Sequence, residues 1–150
     1  MQRPGRYFSW SEFEASKTAK RLDIDNRVVK RNHRQAIAHL CSAVLDPLRL
    51  DVGRPVRVTS GYRSGALNAA LPSASPTSQH MRGQAADIKV DGVGAEELAR
   101  RIVRLGLPFD QLIWYDLARG GHVHVSAVVG GGRGQTMHAR APRGIVPWQP

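Results

Sequence analysis

One cysteine, Cys41, and few aromatic residues are the first absences in this chain of 150 residues. A lone thiol forms no internal disulfide and no cysteine-rich zinc finger, so the fold must rest on its core. Cys41 falls on the apolar side of an expected helix, where a free thiol acts as a small buried hydrophobe rather than a nucleophile. Aromatics at 6% leave valine, isoleucine, leucine and alanine to fill that core. No apolar run approaches the roughly 20 residues of a membrane span. The opening Met-Gln-Arg-Pro-Gly-Arg-Tyr has no apolar stretch of a signal peptide, so a substrate beyond the cytoplasm would be reached by another route. Acidic residues are also scarce, 12 against 22 Lys and Arg, for a formal charge of +10. Polyanions attract such a surface, whether nucleic acid or the anionic polymers of a bacterial envelope. The basic residues are spread along the chain instead of clustered, which weighs against specific nucleic-acid recognition.

The length suits a single domain spanning residues 1–150, with its core over about 8–140. Ser9 stands three residues before Glu12, a capping-box spacing that starts a short helix in which Trp10 and Phe13 pack together. Ile37, Leu40, Cys41, Val44 and Leu45 follow the spacing of a buried helical stripe, and Pro47 is expected to help end that helix. Lys30, Arg31, His33 and Arg34 form a solvated face upstream of it. Alternating β-branched residues predict a strand over 54–60, leading through Gly61-Tyr62-Arg63-Ser64 into a short helix over 65–70. A loop rich in proline and serine covers 71–77. Further along, Gly94 to Leu105 is amphipathic, and residues 109–115 and 122–129 read as an antiparallel hairpin. A last edge strand over 135–139 and an irregular proline-rich tail complete the chain.

Ser78-Gln79-His80-Met81-Arg82-Gly83-Gln84-Ala85-Ala86-Asp87 sets an imidazole and a carboxylate where a loop enters a buried strand, a plausible pair of metal ligands. Strand alternation aims His122, His124 and Ser126 at one face and offers a third ligand. His, Asp and His suit zinc, and three protein ligands leave a fourth position for water. Arg63, at the mouth of its turn, could grip a substrate carboxylate through two parallel hydrogen bonds.

These blocks together resemble the M15 peptidase family, the zinc D-alanyl-D-alanine carboxypeptidases and endolysin-like enzymes. Ser78, His80, Gly83, Ala85 and Asp87 match its central Ser-x-His-x-x-Gly-x-Ala-x-Asp signature without a gap. Val58 to Ser64 with Leu67-Asn68, Asp110 to Ile113, and His122 to Ser126 match in order around it. The resemblance implies that His80, Asp87 and His124 bind one zinc ion, that Arg63 holds the substrate's carboxylate or carbonyl, and that Ser78 lines the same cleft. It also implies peptidoglycan stem peptides as substrate, and, for a chain without a leader, release by lysis or carriage on a virion. Where many relatives have a glutamate after the Gln-Leu-Ile block and a tryptophan two residues before the last histidine, this chain has Tyr115-Asp116 and His122.

The general base is therefore either His122, which is favoured because it faces the metal side, or Asp116, which needs the turn over 117–121 to fold back. His122 also remains an alternative ligand to His124. The expected fold is α+β: helices packed on a small, mostly antiparallel sheet that carries the zinc at one edge. The expected function is a zinc-dependent D-alanyl-D-alanine carboxypeptidase, acting as a monomer. The alternatives are an L-alanyl-D-glutamate endopeptidase or an inactive wall-binding module.

Overall fold

The computed structural model describes residues 2–72 and 74–150; Ser73, inside the loop expected over 71–77, lies outside them. Ser9 and Glu12 open helix α1 (Trp10–Glu14), the Ser9 N–H donating to the Glu12 carboxylate at 2.7 Å. Ser16 caps α2 (Lys17–Arg21), its Oγ accepting from the Ala19 N–H at 3.1 Å. Phe13 is buried edge-on against Phe8, and Trp10 lies under the Arg34 guanidinium.

The stripe of Ile37, Leu40, Cys41, Val44 and Leu45 is buried throughout. It runs along α3 (Arg31–Leu40), a π-turn over Cys41–Leu45, and α4 (Asp46–Val52). Pro47 does not end this rod, contrary to the expectation. The wide turn before it bonds the Asp46 N–H to the Cys41 carbonyl five residues back, which relieves the clash a proline ring makes with the carbonyl four residues earlier. The stop comes instead at Gly53, in the left-handed region with φ +69°. Burial pushes the Cys41 thiol above its ordinary pKa, as suits a packing residue.

Among the described residues, six strands form one sheet in the order β1-β2-β4-β3-β5-β6. They are β1 (Arg57–Ser60), β2 (Ala85–Lys89), β3 (Gln111–Tyr115), β4 (Val123–Ser126), β5 (Gln135–Ala139) and β6 (Ile145–Pro147). Helices α5 (Gly65–Ala70) and α6 (Ala95–Arg104) complete the regular elements, which makes the fold α+β with a mostly antiparallel sheet. The hairpin of β3 and β4 forms as its alternation predicts. No helix among the described residues is long and apolar enough to cross a membrane.

Three features differ from expectation. β5 is not an edge strand; it runs parallel to β3 and is itself covered by β6. The tail is only partly irregular: it contains β6, which is held in place because Trp148 buries its indole edge-on against Trp114 and its backbone N–H bonds to the Thr136 carbonyl. Pro147 is tolerated there because β6 is an edge. Finally, β2 and β4 lie inside the sheet, so the residues expected at its edge sit near its middle.

Residues directly opposite one another across strands share a face. Asp87 pairs with His124, His124 with Ile113, and Ile113 with Met137, so these four make one row on one face. Ile88, Val123 and Trp114, one residue along, make the opposite row, packed with Ile37, Leu40, Leu98 and Ile102 in the core. The sheet thus gives one face to the helices and the other to a cleft.

Candidate metal centre

That cleft has a volume of about 1020 Å³, and His80, Asp87, His124, Arg63, Ser78 and Tyr115 are among its lining residues. Asp87 and His124 reach it from neighbouring strands, which fixes their separation by backbone pairing. His80 comes from the 3₁₀ turn Gln79–Arg82, where the Ser78 Oγ accepts the His80 N–H at 3.3 Å and Gly83 ends the turn at φ +72°. A Cβ on Gly83 would stand 2.6 Å from the His33 carbonyl oxygen, so this turn lies directly on α3.

The Arg63 turn is fastened in the same manner. A Cβ on Gly61 would stand 2.7 Å from the Phe13 Cα, and the Tyr62 N–H bonds to the Phe13 carbonyl at 2.8 Å. Asn26, buried beside it, donates to the Glu14 and Tyr62 carbonyls at 2.9 Å each and accepts from the Ser64 N–H at 2.8 Å. No motif or spacing in the sequence marks Asn26 for this role. Only a primary amide can donate twice and accept once from a single side chain in that position.

Asp87 is the centre of the cluster. Its Oδ1 lies 3.4 Å from His80 Nε2 and 3.2 Å from His124 Nδ1; its Oδ2 lies 3.9 Å from both His122 Nε2 and Arg63 Nη2. His80 Nδ1 is 2.7 Å from the Gly61 carbonyl oxygen, an acceptor only, so Nδ1 carries the proton. In the neutral ring Nε2 is then an acceptor facing another acceptor, the Asp87 carboxylate. Two lone pairs directed at each other are reconciled either by a proton on Nε2 or by a metal ion between the two residues.

The spacing suits a metal ion. Ligand atoms about 2.1 Å from a tetrahedral zinc stand about 3.4 Å apart, and one ligand atom from each of His80, Asp87 and His124 lies within 4.8 Å of the other two. Two imidazoles and one carboxylate are donors of the kind zinc takes. These three residues could therefore hold a metal ion.

Burial by itself would raise the Asp87 pKa, but hydrogen bonds and charge from His124 and His80 in their protonated forms outweigh it, and the carboxyl lies well below the ordinary range. His122 stacks on Tyr115, with ring centroids 4.2 Å apart and planes 16° from parallel, because the two residues face each other across the end of the β3–β4 hairpin. Burial lowers the His122 pKa, and the charges of His124, Lys89 and His80 act in the same direction against Asp87. Burial raises the Tyr115 hydroxyl. Arg63 Nε is buried and has no hydrogen-bond partner among the described residues.

Asp116 is placed differently from the other candidates. Its carboxylate accepts the Arg119 N–H at 3.1 Å and the Ala141 N–H at 3.0 Å, capping the 3₁₀ turn Leu117–Arg119 and tethering the tail. His138 stacks on Trp114, away from the cluster. Asp110, Gln79 and Arg133 also line the cleft and were not anticipated there. Asp110 lay in plain view before Gln-Leu-Ile, but its partner is 23 residues away.

A His-Asp-His group on the floor of a cleft, with an arginine beside it, is a set of residues that could hold a metal ion. The sequence model of the peptidase M15 family matches residues 6–126, and the chain belongs to that family. Comparison with curated proteins finds no match.

Proposed function

We propose that the protein is a zinc-dependent peptidase that hydrolyses peptidoglycan stem peptides, trimming a terminal D-alanine. The observation that carries this is the pair of opposed acceptors, His80 Nε2 and Asp87 Oδ1, closed by His124 and set beside Arg63. Zinc held by His80, Asp87 and His124 would supply a Lewis acid for the scissile carbonyl and lower the pKa of a water to about 7.

The remaining chemistry falls to Arg63 and Ser78 in the cleft and to His122 beside it, 3.9 Å from Asp87. Arg63, with an unpartnered Nε and its guanidinium at the cleft floor, holds the substrate's terminal carboxylate and fixes the scissile bond. Ser78 shapes the turn that carries His80. His122, kept neutral by its burial, accepts the proton of the attacking water and returns it to the leaving amine. Asp116, engaged by two backbone N–H groups, keeps its role as a cap in this reading.

A second reading, an endopeptidase cutting between L-Ala and D-Glu, draws support from the cleft volume of about 1020 Å³, which exceeds what one alanine fills. In either case the basic surface favours contact with anionic wall polymers. Mass spectrometry of stem peptides incubated with the protein, with and without a chelator, tests this directly. Loss of one alanine mass is expected; cleavage between L-Ala and D-Glu selects the second reading. Cleavage that survives the chelator overturns the zinc chemistry, and no cleavage of any stem peptide leaves a wall-binding module.

A further inference from the structure

The family match ends at residue 126, and the cleft continues past it. Residues 127–134 cross the start of β3 to reach β5 on its far side. The crossing is tight: a Cβ on Gly132 would stand 2.6 Å from the Phe109 carbonyl oxygen. It delivers Arg133 to the cleft wall, where Asp110 holds it at three points. The Arg133 backbone N–H and Nε donate to Oδ1 at 3.0 Å each, and Nη2 donates to Oδ2 at 2.8 Å. Gln79, next to His80, donates to the same Oδ2 at 2.9 Å.

The two partners differ in exposure. The Asp110 side chain is 8% exposed and that of Arg133 58%. A guanidinium carries five N–H donors in one plane. Asp110 takes the edge bearing Nε and Nη2, and nothing among the described residues accepts from Nη1. An arginine ordinarily gives up much side-chain freedom to bind a ligand, which offsets the gain from an exposed ion pair. Here Asp110 has already fixed the side chain. The cleft walls carry Arg63, Arg82 and Arg133 against the two carboxylates Asp87 and Asp110, so the lining favours an anionic ligand.

We infer that Arg133 is a specificity residue that takes a second carboxylate of the peptide substrate, distinct from the terminal one held by Arg63. This rests on the peptidase reading above. A peptidoglycan stem offers such groups on its D-glutamate and, in some walls, on its diamino acid. A planar guanidinium accepts a carboxylate through paired hydrogen bonds and gains much less from the carboxamide that amidation leaves.

The test compares zinc-loaded protein on stem peptides whose internal carboxyl groups are free with peptides in which each is amidated in turn. Wild type should show a kcat/KM about tenfold higher for one free acid than for its amide, the size expected of one charge-assisted contact at a partly exposed site. Arg133→Met should bring that ratio close to one, while Arg133→Lys should keep part of it. Any general damage from freeing Asp110 affects acid and amide alike and cancels in the ratio. Equal cleavage of acids and amides by wild type, or a preference untouched by Arg133→Met, overturns the inference and leaves the peptidase reading standing. Failure to cleave any of the peptides removes that reading, and the inference with it.

Discussion

Asp87 and Asp110 are carboxylates of one cleft with little exposure, 14% and 8% of their side chains, and both are held well below the ordinary carboxylate pKa, yet their partners differ in kind. Asp110 is met by permanent donors: the Arg133 guanidinium and backbone N–H, and the Gln79 amide. Its lone pairs are satisfied by the protein itself. Asp87 faces imidazoles, one of which, in its neutral form, has its only proton committed to Gly61. Burial and acidity are the same signal in both cases. What separates a strut from a candidate ligand is whether the neighbours supply all the positive charge the carboxylate needs.

Exchanging the two aspartates for alanine, one at a time, breaks the comparison most sharply. Asp87→Ala should lose bound zinc in metal analysis and lower the peptidase rate by more than the about 100-fold that loss of a supporting hydrogen bond can cost. Retention of both zinc and rate would remove Asp87 from the site. His122→Ala probes a neighbour of Asp87 that is not expected to hold the metal. Its rate should fall by about 100- to 10,000-fold with zinc content unchanged, and loss of zinc would make His122 a ligand.

Asp110→Ala should act on stability. It strands the Gln79 amide and the Arg133 backbone N–H, costing about 2 kcal/mol in a denaturant melt, while zinc binding persists. The smallest effect is one of pH. The folded-state pKa of Asp110 is lowered, first by the Arg133 hydrogen bond, against its own burial, with help from the Arg133 backbone N–H and Gln79. Its contribution is therefore complete above the unfolded value near pH 4 and is lost as pH falls further. The stability gap between wild type and Asp110→Asn should narrow below pH 4; a constant gap would mean that the carboxyl titrates alike in both states.

The convergence of His80, Asp87 and His124 was legible because its parts are local. A turn signal and a strand place His80 and Asp87, an alternating His-x-His offers His122 or His124, of which the family resemblance implied His124, and one sheet register brings the strands together. The α+β class followed from the same periodicities. The cleft's other wall was not legible, since Arg133 reaches Asp110 only through a crossing that needs Gly132 to pass over β3. Nor was β6: three residues around a proline carry no strand signal, and what holds them is the distant indole of Trp114. Pro47 misled for a similar reason, because the π-turn that makes room for it leaves no trace in the hydrophobic spacing.

Gly61 and Gly83 seat the two turns that carry Arg63 and His80 directly on α1 and α3. In most enzymes the loops are the pliable part, and lineages reshape them when substrates change. Here any side chain at either glycine would push a helix away from its turn, so these segments have little freedom to drift. The adaptable rim lies elsewhere, beside Ile145, where a side chain added at Gly144 would meet nothing within 4 Å. Adaptation of this cleft to a different peptide should accumulate there, beside the last strand of the sheet, before it touches the turns that carry Arg63 and His80.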